Sequence, residues 1–276
     1  MSGQRPVALI TGAGRGLGRE LARAFKAEGY DLLLVVRQEA DARSLAAETV
    51  VVDLADDQAP DKIIDELTAR FGRLDVLINN AAVHGPVGRL ESLDQREWDR
   101  ALKVDLLAPV SLCRRAVGLM KKSGRGRIIN LSGGGASGPR PRFTAYATAK
   151  AGLVRFSETL AAELAGSGLT VNCVAPGAMK TGLLAEIESL GAEVAGESEL
   201  AGAEKVWAGD GDSLAAAVRL CLFLASPAAD RITGKLISAV WDNYQDWPDH
   251  LEELAGDLYT LRRVTGRDRG LKWGDR

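Results

Sequence analysis

Tyr146 and Lys150 stand four residues apart in the run Phe143-Thr-Ala-Tyr-Ala-Thr-Ala-Lys-Ala-Gly-Leu. The run reads as helix, and that spacing puts phenol and ammonium on one face, a turn apart. A free tyrosine titrates near pH 10, so it exchanges protons poorly at neutral pH. A neighbouring cation favours the phenolate and lowers that value. The pair is a candidate acid/base device, although surface helices also carry such pairs by chance.

A second constellation binds rather than reacts. Thr11-Gly-Ala-Gly-Arg-Gly-Leu-Gly18 follows an apolar run and precedes a helical one. Gly12, Gly14, Gly16 and Gly18 permit positive φ and close backbone approach. The helix beginning near Gly16 aims its free N–H groups and positive dipole end into the turn, where a pyrophosphate fits. The pattern is TGxxxGxG. It is not the GxGxxG fingerprint, whose last glycine would fall on Leu17. A free ribose 2′-hydroxyl usually meets an acid at the end of the second strand. Here that position is Arg37, and Arg15 lies in the turn itself. Two guanidiniums favour a 2′-phosphate, which predicts NADP(H) over NAD(H); the plain alternative is that either arginine is solvated surface charge.

These groups need a scaffold. Apolar runs at 7–10, 32–36, 50–52, 76–78, 127–131, 169–174 and 235–240 alternate with amphipathic stretches at 18–28, 60–71, 95–121, 146–165 and 213–225. Short runs apolar on both faces suit a parallel sheet. The alternation predicts a Rossmann-like, doubly wound α/β sandwich of about seven parallel strands with helices on both faces. Residues 1–240 form one domain in this reading. Two segments break the rhythm. Residues 179–212, rich in Glu, Ala and Gly, read as a long substrate loop. Residues 241–276 carry Trp241, Trp247 and Trp273 and read as a tail on the domain or on a neighbouring subunit, or as a helix over about 248–263 packed on its own domain.

The bulk numbers set limits. The chain has 276 residues, 46% hydrophobic and 26% charged, with a formal net charge of -2. No global field favours nucleic acid or an anionic membrane. No apolar run approaches the roughly 20 residues that span a bilayer. Cys113, Cys173 and Cys221 are widely spaced and lack a CxxC, which suits buried thiols in a reducing, cytoplasmic setting. Two histidines are too few for a His-based metal site. The basic run at 121–127 reads as a solvated loop.

The glycine turn, Asp53-Leu54 after the third strand, Asn79-Asn-Ala-Ala82 after the fourth, Tyr146 with Lys150, Asn172, and Pro176-Gly177 with Thr181 appear in that order. Together they resemble the short-chain dehydrogenase/reductase family over roughly residues 5–240. The resemblance implies roles. Asp53 and Leu54 hold the adenine; Asn79, Asn80, Ala81 and Ala82 line the cofactor groove or brace the sheet. Tyr146 is the proton donor of reduction or the base of oxidation. Lys150 binds the ribose of the nicotinamide and lowers the Tyr146 pKa. Pro176, Gly177 and Thr181 hold the carboxamide end. A homodimer or homotetramer is implied as well, with the 95–121 and 146–165 helices pairing across a two-fold axis.

Two departures qualify the resemblance. Relatives carry a catalytic serine thirteen residues before the tyrosine; here that residue is Gly133, in Asn130-Leu-Ser-Gly-Gly-Gly. Ser132 matches the preceding serine, and alternation along a strand turns it to the other face. Asp105 replaces a helix asparagine of the family's proton relay and adds charge near Lys150. The expected activity is carbonyl/alcohol interconversion on a small or medium metabolite. Two alternatives stand beside it: a cofactor-sensing module, and a lyase or isomerase that moves a proton through Tyr146.

Overall fold

The computed structural model describes residues 5–209 and 212–270. Seven parallel strands, β1 Val7–Thr11, β2 Asp31–Val36, β3 Glu48–Val51, β4 Val76–Asn79, β5 Gly126–Leu131, β6 Leu169–Ala175 and β7 Leu236–Ser238, form one sheet in the order 3-2-1-4-5-6-7. Helices cover both faces: α1 Gly16–Ala27, α2 Glu39–Ala42, α3 Ala59–Phe71, α4 Gln95–Leu102, α5 Ala108–Ser123, α6 Thr144–Glu163, α7 Gly182–Ala195, α8 Glu197–Ala208, α9 Ser213–Ala225 and α10 Leu251–Leu254. The doubly wound α/β architecture is the one the alternating pattern predicts.

Each strand feeds two cores, which is why the runs are apolar throughout. Val7 and Leu9 of β1 pack with α3 and α5, whereas Ala8 and Ile10 pack with α1 and α9. All are almost wholly inaccessible. Strand order reverses between β1 and β4, so their carboxyl ends border a crevice that no crossover covers.

Three expectations change. The stretch at 95–121 is not a uniform helix: a π-helical turn over Lys103–Leu107 separates α4 from α5. Residues 179–212 are not a loop. They form the pair α7 and α8, with Gly191 at φ 69° kinking α7; residues 210 and 211 lie outside the described part. The C-terminal helix over 248–263 shrinks to α10 after a 3-10 turn at Tyr244–Asp249. The Lys235 ammonium takes the carbonyls of Gly256 and Leu258 at 2.9 Å each, which draws the backbone beyond α10 out of the helix. This tail lies on its own domain. Trp247 is buried and stacks with Tyr259 at 4.3 Å, and Tyr244 meets Phe223 of α9. Trp241 is exposed, and Trp273 lies outside the described residues.

Candidate active site

The crevice begins at the glycine turn. Gly12 has φ 67°, and a β-carbon there would come within 2.8 Å of the Ala81 backbone. One on Gly18 would meet the Gly12 carbonyl at 2.2 Å. Only bare backbone allows β1, the turn and the end of β4 to close up this far. Asn80 fixes the approach, donating its side-chain amide to the carbonyls of Thr11 (2.9 Å) and Gly12 (3.2 Å). The Thr11 hydroxyl accepts from the amides of Asn80 and Ala81. No side chain caps α1, so its first-turn amides remain for a ligand. A dinucleotide pyrophosphate fits this cradle, whose close approaches a β-carbon on Gly12 or Gly18 would break.

Of the residues predicted from sequence, Thr11, Asn79, Asp105, Asn172 and Gly177 lie outside the groove lining. Thr11 is spent on bracing the turn. Gly177, at φ 81°, is packed against Val240 instead. Asn79 points away from the groove and donates to Asn130 Oδ1 at 2.8 Å. Asn130 in turn donates to Ser157 Oγ on α6 at 2.8 Å. This buried chain ties the sheet centre to the helix that carries Tyr146 and Lys150. Asn172 is likewise structural, holding the segment before β7 through Ile232 and Lys235.

Arg37 lines the groove near Asp53, as does Asp41 of α2, which sequence reasoning missed; Arg15 also lines it, with its guanidinium beside Gly182 at the start of α7. The Asp41 carboxyl packs so closely on the turn that a β-carbon on Gly14 would meet it at 2.7 Å. Asp53 accepts from the Ala55 amide at 2.9 Å and from Arg100 at 2.8 Å. Burial pushes its carboxyl up, but those hydrogen bonds and the Arg100 charge outweigh it and hold the pKa below its ordinary value.

Lys150 Nζ donates to the Leu131 carbonyl (3.1 Å) and lies 3.5 Å from Asp105 Oδ2 and 5.6 Å from the Tyr146 ring centre. The π-helical turn delivers Asp105 to this point, where Oδ1 accepts the Val83 amide at 2.9 Å. Burial pushes Asp105 up to about 6 against the opposing pull of Lys150. Tyr146 is also raised, because burial outweighs the lowering by Lys150. Burial of the phenol is the largest cause and Asp105 adds to it, so the two cations, Lys150 and Arg140, only moderate the rise. The sequence announces the ammonium and not the desolvation.

Gly133 faces the phenol directly. A β-carbon there would lie 2.2 Å from Tyr146 Oη and 3.0 Å from Cζ. Ser132 lines the groove, contrary to simple alternation, because β5 ends at Leu131 and the chain turns beyond it. Its hydroxyl is buried and has no hydrogen-bond partner. Four further residues, none singled out from the sequence, join the site. The His84 ring stands edge-on to Tyr146 (5.3 Å) and Phe143 (5.4 Å), and burial lowers its pKa to about 4. Arg140 lies over the Phe143 ring at 3.9 Å and pairs with Glu199 of α8. Leu184 and Ile187 of α7 close an apolar cluster over Phe143 and Tyr146. Their arrangement depends on the docking of α7 and α8, which no local pattern announces.

The family model described as short chain dehydrogenase matches residues 6–190. The short-chain reductase protein NovJ of Streptomyces niveus is 37% identical over 85% of this chain and 92% of its own length. The 3beta-hydroxysteroid dehydrogenase 1 of Eggerthella lenta is 34% identical over 82% of this chain and 88% of its own. Among solved structures, levodione reductase superposes with a TM-score of 0.76 at 26% identity, covering 88% of this chain and 98% of that one. YwfH, an NADPH dependent reductase involved in bacilysin biosynthesis, gives 0.75 at 26% identity over 86% and 97%.

Proposed function

We infer the chemistry of this site from one premise: the chain belongs to the short-chain dehydrogenase/reductase family, oxidoreductases acting on CH–OH and carbonyl groups. The reading is an NADP(H)-dependent interconversion of a carbonyl and an alcohol on a small or medium metabolite, with Tyr146 as the proton donor of reduction. The observation that carries it is the placement of Tyr146 and Lys150 in the same groove as the glycine turn.

A bound nicotinamide dinucleotide supplies or accepts the hydride. The chain does the rest. The turn and the α1 amides hold the pyrophosphate, and Arg15 and Arg37 favour a 2′-phosphate, in keeping with the NADPH dependence of the structural relative YwfH. Lys150, held by Asp105 and the Leu131 carbonyl, presents its ammonium to the ribose hydroxyls and stabilises the phenolate left by proton donation. The Tyr146 hydroxyl protonates the developing alkoxide. In oxidation the phenolate takes the proton back. Ser132, buried beside them with an unpartnered hydroxyl, supplies the second hydrogen bond to the substrate oxygen that position 133 does not.

The direct test mixes the purified protein with NADPH and a panel of ketones and aldehydes and follows NADPH consumption. Turnover on at least one member supports the reading; bound cofactor without turnover across a broad panel counts against it and favours a cofactor-sensing module.

A further inference from the structure

The glycine run at 133–135 makes room for two side chains. One is the Tyr146 phenol. The other is Arg140, which Gly135 accommodates. At Gly135, which has φ 95°, a β-carbon would come within 3.1 Å of Arg140 Cβ. Arg140 therefore lies beside the Tyr146 phenol and largely out of bulk solvent. Its side chain is only 13% exposed. The guanidinium lies flat over Phe143 and 5.4 Å from the Tyr146 ring centre.

What neutralises it is a carboxylate from α8. Glu199 accepts two hydrogen bonds in parallel, Nε to Oε1 at 2.9 Å and Nη2 to Oε2 at 2.8 Å. This fork matches carboxylate geometry, and a buried guanidinium requires such a partner. Around it stand Phe143, with Leu184 and Ile187 of the same apolar cluster, and His84, whose Nδ1 lies 3.4 Å from Glu186 Oε2. A second charged fixture, Arg142, instead donates to the Glu193 and Val194 carbonyls at the end of α7, so α7 stays latched when Arg140 changes partner.

We propose that Arg140 is the recognition site for a carboxylate on the substrate, with Glu199 as the internal carboxylate that the substrate displaces. The substrate class is then an oxo acid, or the matching hydroxy acid, with an apolar or aromatic body. The assignment rests on the oxidoreductase reading above and adds the substrate class to it. The carbonyl faces Tyr146, and the body lies on the side that α7 covers. The positive charge of Arg140 also stays close to the phenol when Glu199 leaves.

The test separates binding from turnover. Hydrocinnamate has the carboxylate and the aromatic body but no carbonyl to reduce; hydrocinnamide lacks the charge. Calorimetric titration into the intact protein saturated with NADPH is expected to give binding of the acid about tenfold or more tighter than the amide. Arg140→Met abolishes that preference while keeping its NADPH affinity, which reports that the variant is folded. Glu199→Gln tightens the acid severalfold, because the internal competitor has lost its charge. Equal binding of acid and amide, no binding of either, or a preference that survives R140M would each overturn the assignment. Benzoylacetate and its ethyl ester with NADPH then address the chemistry. Reduction of the acid in preference to the ester supports both readings. Preference for the ester overturns the carboxylate site and leaves the oxidoreductase reading intact. Tight acid binding with no reduction of either upholds the site and counts against the redox reading.

Discussion

The hydroxyl of Tyr146 occupies the volume that a side chain on residue 133 would need: a β-carbon built on Gly133 lies 2.2 Å from Tyr146 Oη. Glycine at 133 is thus the complement of a deeply seated phenol. The ring is 8% exposed and carried on a helix tied to the sheet through Asn130 and Ser157. It has little room to retreat.

Restoring the missing serine is therefore expected to harm. Gly133→Ser and Gly133→Ala both press on the ring and cost about 1–3 kcal/mol of stability, as overpacked cores do. Both lower kcat, measured by NADPH consumption on the best substrate. Ser132→Ala, which removes a hydroxyl without adding bulk, lowers kcat by about 10²-fold if it holds the substrate oxygen. A rise in kcat for G133S would mean that Tyr146 yields easily.

The phenol's environment predicts a pH profile. Burial raises the Tyr146 pKa, Lys150 opposes this, and ionised Asp105 reinforces it. Alcohol oxidation needs the phenolate, so its rate climbs with pH through that value. Asp105→Asn removes the reinforcing charge and moves the basic limb to lower pH; Lys150→Met moves it to higher pH. The kcat profile of oxidation for the three proteins checks both directions.

His84 predicts a stability trend. Burial, helped by the Arg140 charge, holds its pKa near 4, below the 6.5 of an unfolded histidine. The unfolded state therefore binds the extra proton first. The stabilisation is present above about pH 6.5 and is lost as pH falls towards 4, by up to about 3 kcal/mol. His84→Gln flattens that decline. Asp105, raised to about 6, acts in the opposite sense over this window. It is present in both proteins, so comparing denaturant midpoints at pH 7 and pH 4 isolates His84.

Cofactor choice rests on charge at the adenosine end. Arg37→Ala, and more so its combination with Arg15→Ala, is expected to weaken NADPH binding by about tenfold or more and to change NADH binding little. Fluorescence titration of both dinucleotides reads the ratio. Asp41, which lines the same end, works against a 2′-phosphate, and Asp41→Asn should shift the ratio further towards NADPH.

The strands were legible because parallel strands buried on two faces must be apolar throughout, as Leu32 to Val36 is. The turn was legible because only glycine tolerates its approach to Ala81. Tyr146 and Lys150 were legible because helical spacing fixes their common face. The rest depends on long-range docking. Residues 182–208 read as a loop because their small residues and kinking Gly191 give a weak amphipathic pattern; docking onto Phe143 supplies what the pattern lacks. Arg140 and His84 gain their meaning only from that docking. The burial that raises Tyr146 is a property of the assembled core.

The most direct measurement follows deuterium from NADPH labelled at the transferable position of the nicotinamide into the product of the best carbonyl substrate. Deuterium on the new carbinol carbon, with the rate falling by about 10²–10⁴-fold in Tyr146→Phe while NADPH affinity holds, is the expected result. Product formed without deuterium, or unchanged turnover in Y146F, would contradict hydride transfer with Tyr146 as its proton donor.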